Sequence, residues 1–166
     1  GVWAVPGNHE FYGGNAILQS LQDAGFHVLR NQWIQLRPGL ILAGVDDLTV
    51  HRRTNREGDP VAQALAGRPS GATVLLSHTP WEADKAADAG VGLMLSGHTH
   101  GGQIRLPYLP PFYLPRYSGR FVAGFYQVSE HQVPLYVSRG VGTSVLPLRF
   151  LCRPEIGLFE LGGQPA

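Results

Sequence analysis

Three times in this chain a short apolar run breaks off at a histidine, and that repeated pattern constrains the fold more than any other feature. Val2 to Val5 leads into Pro6-Gly7-Asn8-His9, "ATVLLSH" ends on His78, and "VGLMLSGH" ends on His98, with His100 two residues on. Apolar runs of four to eight residues bounded by turn formers read as buried strands. "WEADKAADAG", between the last two runs, reads as a helix stopped by Gly90. Strand, helix and strand at this spacing predict a largely parallel, buried sheet. In such a sheet ligands gather beyond the carboxyl ends of the strands. All three histidine sites therefore belong on one edge.

The rest of the chain fits around that unit. Asn15 to Ala24 places Ile17, Leu18 and Leu21 at helical spacing, with Gly25 as the stop. His27 to Asp46 predicts a hairpin, "HVLRNQWIQL" and "LILAGVD" turning at Arg37-Pro38-Gly39. Thr49 to Asp59 is polar and reads as a mobile loop, followed by a short helix from Pro60 to Ala66. Gln103 to Tyr117 is rich in proline and aromatics, which predicts an ordered wall or lid. The last third, including "EIGLFEL", predicts antiparallel strands. Nothing repeats and no linker divides the chain, so residues 1–166 read as a single domain.

Composition narrows the function. Apolar residues make up 43% of the chain, enough for a sizeable core, and 13 basic against 12 acidic residues leave a net charge of +1. No basic block signals nucleic acid and no apolar run is long enough to span a bilayer. The lone Cys152 excludes an internal disulfide. What remains is a site chemistry built on imidazole and amide. Imidazole suits zinc, iron, nickel and copper, and an amide oxygen such as that of Asn8 is a harder donor. A mixed N/O set without thiolate fits a catalytic ion better than a structural zinc site.

At these residues the chain resembles the calcineurin-like metallophosphoesterase superfamily. "GNHE", "SHTP" and "GHTH" are similar to its Gly-Asn-His-Asp/Glu block, its lone metal histidine and its Gly-His-x-His block, in that order. The longer "GHTHGGQI" and "LYVSRGVGTSVLPLRFLCRPEI" resemble a bacterial branch of membrane-associated phosphohydrolases, some of which cleave the diphosphate of a lipid precursor. The resemblance implies an α/β fold, the C-terminal half of a four-layer α/β/β/α sandwich. It implies hydrolysis of a phosphodiester or diphosphate by a hydroxide activated between two divalent ions, manganese, iron or zinc. Asn8, His78 and His98 would bind one ion and His100 the other, while the unligated His9 contacts the phosphoryl group and protonates the leaving group. The family's Asp-x-His and Gly-Asp-x-x-Asp blocks are not found before "GNHE", so residues 1–166 read as a partial domain, inactive by itself. The substrate implied is a phosphorylated small molecule or a lipid-linked phosphate. The location implied is the cytoplasm or the cytoplasmic membrane face, with an N-terminal anchor on the full-length protein. Self-association, or association with the missing half, would cover the exposed sheet.

Two rivals stay open: a metallophosphoesterase-like scaffold without catalysis, and a mononuclear metal-binding module. His27, His51 and His131 read as ordinary hydrogen-bonding residues. Asp46 and Asp47, at a strand end, read as structural or loop-capping, with replacement of the missing carboxylates as the alternative. Trp33, Trp81 and the "LPYLPPFYLP" aromatics read as packing, with a wall for an apolar ligand built by Tyr108 to Tyr113 as the alternative. Cys152 reads as a small core residue.

Overall fold

The computed structural model describes residues 1–12, 15–48 and 58–162. The expected loop over Thr49 to Asp59 falls almost wholly outside the described residues, as does His51. Among the described residues, eight strands and four α-helices run in the order β1 (Val2–Ala4), α1 (Asn8–Tyr12), α2 (Asn15–Asp23), β2 (Phe26–Val28), β3 (Gln32–Arg37), β4 (Leu40–Gly44), α3 (Pro60–Leu65), β5 (Ala72–Ser77), α4 (Ala83–Asp88), β6 (Leu93–Ser96), β7 (Gly124–Val128) and β8 (Val133–Val137). Six strands form one sheet in the order β3-β4-β5-β6-β8-β7, and β1 and β2 form a separate parallel pair. The four inner strands are mutually parallel and the two edge strands antiparallel. This is the buried parallel sheet expected from the strand–helix–strand spacing.

Strand alternation sends successive side chains to opposite faces. Ala43, Leu75, Met94, Leu135 and Val137 meet Val61, Ala64 and Leu65 of α3 and Ala83, Ala86 and Ala87 of α4 in the larger core. Each fully buried Leu or Val there contributes roughly 1.5–3 kcal/mol. The opposite face carries Leu42 and Val74, packed with Leu29, Trp3 and Val5 from around the β1–β2 pair. Gly44 permits that approach, because a Cβ there would lie 2.5 Å from Leu29 Cβ and 2.6 Å from Val5 Cγ1. Leu76, Leu93 and Leu95 on the same face are only partly buried. Asp59 caps α3 by accepting the N–H groups of Val61 and Ala62.

Two expectations are corrected. The hairpin is shorter than His27–Asp46: β3 pairs with β4, while Phe26–Val28 pairs with β1 in the other sheet. The break falls at Arg30-Asn31. Asn31 takes a left-handed backbone (φ 51°) and accepts the N–H of Asp46, and Arg30 clasps the Asp46 carboxylate through two bonds of 3.0 and 2.8 Å. "EIGLFEL" is not a strand. Glu155 is anchored instead by Tyr136 Oη at 2.9 Å and by Arg139, and Phe159 meets Tyr136 and Phe125 edge to face. Those anchors lay the segment across the β7–β8 face rather than along an edge.

Candidate metal centre

The expectation of one shared sheet edge is corrected: His78 and His98 follow neighbouring strands of the six-stranded sheet, whereas Asn8 and His9 follow β1 of the separate pair, and Asn8 reaches His78 across the two sheets. Asn8 opens α1, His78 follows β5 and His98 follows β6. Glu10 sets the α1 start by reaching back to accept the Gly7 N–H at 2.7 Å, one half of a capping box. Gly7 itself is required by close approach: a Cβ there would stand 2.7–2.9 Å from three atoms of the His78 ring. His98 is held in a left-handed conformation (φ 67°), and the Thr99 N–H closes onto the Gly97 carbonyl at 2.7 Å. That is a γ-turn of positive φ, a rare and strained turn.

Three side chains meet. His78 Nε2 lies 2.8 Å from Asn8 Oδ1 and 3.0 Å from His98 Nδ1. The other His98 nitrogen, Nε2, is 2.8 Å from the Arg116 carbonyl. A carbonyl only accepts, so Nε2 donates and the neutral ring keeps its lone pair on Nδ1. The His78 proton therefore points between two acceptors. Donor atoms about 2.1 Å from an octahedral ion stand about 3 Å apart, and the two separations from His78 Nε2 match that spacing. The set fits one divalent cation. Among the described residues no group of three or more His, Cys, Asp or Glu is placed to hold an ion, and the third donor of this set is an amide oxygen.

The field around the set favours neutral ligands. The His78 ring is pushed down to about 4, by burial first and then by His98, with Asp47 and Glu10 opposing. Burial also lowers His100, as do Arg149, His98 and His9, against a hydrogen bond to the Gly142 backbone. His100 thus lies within electrostatic reach of His98 and His9 but is tied to the C-terminal loops rather than to the other three. His9 is exposed on α1, its ring edge-on to Tyr12 at 5.7 Å.

The other candidates sort clearly. Asp46 is buried against Arg30 and is structural. Asp47 is buried close enough to act on His78. His27 stacks on Trp3, and His131 is exposed. Trp33 packs against the larger core and donates to the Ala66 carbonyl. Cys152 is buried in the core, with its Sγ toward the His100 carbonyl. The packing expectation fails for Tyr108, Phe112 and Tyr113, which are exposed, while Trp81 is half-exposed and edge-on to Tyr117.

Several contributors had no role in the sequence reading. Glu10 caps α1, the Arg116 carbonyl orients His98, and the Gln103 amide fastens residues 144–146 to the segment after His100. Arg149 binds the carbonyls of Gly142, His100 and Arg139. Glu10, Gln103 and Arg149 lie inside the matched motifs, so motif membership was their one visible signal.

The calcineurin-like phosphoesterase family model matches residues 1–102, the span that carries all four candidate ligands. The chain belongs to the calcineurin-like phosphoesterases. It is 41% identical over 169 residues to the uncharacterized metallophosphoesterase YkuE of Bacillus subtilis, covering 97% of this chain and 56% of that protein. It is 35% identical to the phosphodiesterase YaeI of Escherichia coli K12, over 96% of this chain and 58% of the relative. A transmembrane protein with metallophosphoesterase domain from Danio rerio is 34% identical, over 94% of this chain and 37% of the relative. The chain spans about half the length of these curated relatives. No solved structure matches it significantly. Among the described residues no helix is long and apolar enough to cross a membrane. Calcineurin-like phosphoesterases are generally divalent-metal hydrolases, and the donor set here suits that chemistry.

Proposed function

We propose that Asn8, His78 and His98 form one ion site of a dinuclear centre that hydrolyses phosphodiester or diphosphate bonds. The convergence of Asn8 Oδ1, His78 Nε2 and His98 Nδ1 carries this reading. When bound, divalent ions such as manganese, iron or zinc would polarise a phosphoryl oxygen and supply hydroxide at neutral pH. Arg116 holds His98 at Nε2 so that Nδ1 faces His78. Gly7 lets the α1 start close over the His78 ring. His100 serves the second ion, whose carboxylate ligands come from Asp-x-His and Gly-Asp-x-x-Asp blocks outside residues 1–166. His9, exposed and next to Asn8, contacts the phosphoryl group and passes a proton to the leaving oxygen. The substrate is a phosphorylated small molecule or a lipid-linked phosphate, met in the cytoplasm or at the cytoplasmic membrane face. One observation favours a mononuclear alternative: the three converging donors serve a single ion.

Hydrolysis of bis(p-nitrophenyl) phosphate tests the reading. The longer protein containing these residues should turn over with manganese, stop on chelation and lose both metal and turnover in His98→Ala. Residues 1–166 alone should be inactive, recovering when the preceding segment is restored. Turnover that survives His98→Ala would overturn the assignment.

A further inference from the structure

A cleft of about 620 Å³ opens beside His100, walled by Ile104, Phe112, Tyr113, Pro115, Val145 and Leu146. Its volume is in the range that takes small organic ligands. Two polar side chains of its lining, Thr99 and Gln103, are engaged within the chain. Thr99 Oγ1 donates to the Val122 carbonyl at 2.6 Å and receives the Gly101 N–H at 3.1 Å. Gln103 Nε2 donates to the Ser144 and Leu146 carbonyls at 3.0 and 2.9 Å, and its Oε1 accepts the Ser144 N–H at 2.6 Å. A nucleobase or sugar entering here would leave its own polar edges poorly satisfied, which disfavours it. An apolar group meets no such cost and removes exposed Phe112, Tyr113 and Val145 from water.

Backbone strain at the mouth is a second, independent sign. Val145 is β-branched, 93% exposed and left-handed, with φ 64°. The Leu146 N–H closes onto the Ser144 carbonyl at 2.7 Å, making Val145 the centre of a γ-turn. A β-branched residue there is an outlier. Gln103 bonds the residues on both sides of it and so over-determines the turn. Strain maintained by dedicated contacts points to a functional position.

We propose that this cleft is a subsite for an alkyl or acyl arm esterified to the phosphoryl group. The proposal rests on the metal-centre reading above, with the phosphoryl group beside His100 and the chain running past Val145. The test is calorimetric titration of the full-length protein, with manganese, using butyl, hexyl and octyl phosphate, octanol and adenosine 5′-monophosphate. One site is expected, with affinity rising about threefold to fourfold per added methylene. Octyl phosphate should bind roughly tenfold tighter than octanol, because the charged head adds its own contacts. Val145→Asp should flatten the chain-length series while butyl phosphate binds as before. Val145→Gly should also flatten it, and because glycine relieves the left-handed strain it should do so in a chain that melts no lower, which excludes misfolding as the cause. A flat series in the wild type with phosphodiesterase turnover intact overturns the subsite alone. Octanol binding as tightly as octyl phosphate overturns its link to the phosphoryl site. Adenosine monophosphate binding more tightly than octyl phosphate overturns the apolar occupant.

Discussion

Replacing Gly7 by alanine probes how the ion site is built. The added Cβ would stand 2.7 Å from His78 Nδ1, 2.8 Å from Cε1 and 2.9 Å from Cγ. Comfortable contact begins near 3.5 Å, so the ring must retreat by roughly 0.6–0.8 Å. Overpacking of that size costs about 1–3 kcal/mol. The same displacement carries Nε2 away from Asn8 Oδ1 and His98 Nδ1, and ligand distances tolerate only about ±0.2 Å. Metal affinity should therefore fall by roughly tenfold to a hundredfold, the range seen when supports of ligands are lost. Gly97→Ala is the matched control, since it adjoins His98 yet a Cβ there meets nothing within 4 Å. Urea denaturation reads the stability and manganese titration the affinity. Gly7→Ala that melts and binds metal like the wild type would refute the reasoning, as would an equal loss in Gly97→Ala.

Other perturbations follow from the same geometry. Asp46→Ala removes a buried carboxylate (2% exposed) that binds Arg30 (39% exposed). Because Arg30 can turn to water, the expected loss is near the lower end for charged hydrogen bonds, about 2 kcal/mol by urea denaturation. The His78 ring, held at about 4 against an ordinary 6.5, is neutral in the folded chain where the unfolded chain would protonate. Its contribution is therefore fully present above pH 6.5 and is lost as pH falls toward 4, about 3 kcal/mol in all. Melting curves of the metal-free chain across that window, compared with His78→Gln, should show the difference. In the longer protein His9→Ala should keep its metal while turnover falls on the order of 10²–10⁴-fold, most for poor leaving groups. Metal analysis beside kinetics separates this from His98→Ala, which should lose both.

The parallel sheet was legible because its strands end at polar residues and are spaced by helix-length segments. The strand-end positions of Asn8, His78 and His98 were legible for the same reason. The early hairpin was not, since Phe26–Val28 and Gln32–Arg37 read as one strand-like stretch that only the contacts of Arg30, Asn31 and Asp46 divide. That division is a tertiary contact across the chain. "EIGLFEL" carries strand-like alternation, but Glu155 and Phe159 find partners on the sheet face that periodicity cannot show. Arg116 was invisible as a site residue because it acts through its carbonyl, whatever its side chain. Gln103 likewise works on the backbone of residues 41 and 43 positions away.

The central claim is that Asn8, His78 and His98 hold an ion, and anomalous diffraction from manganese-soaked crystals tests it most directly. A peak is expected within about 2.3 Å of Asn8 Oδ1, His78 Nε2 and His98 Nδ1, with the two imidazole nitrogens no longer sharing a proton. A peak bound elsewhere, or a fully soaked crystal in which His78 and His98 keep their mutual hydrogen bond, would contradict it.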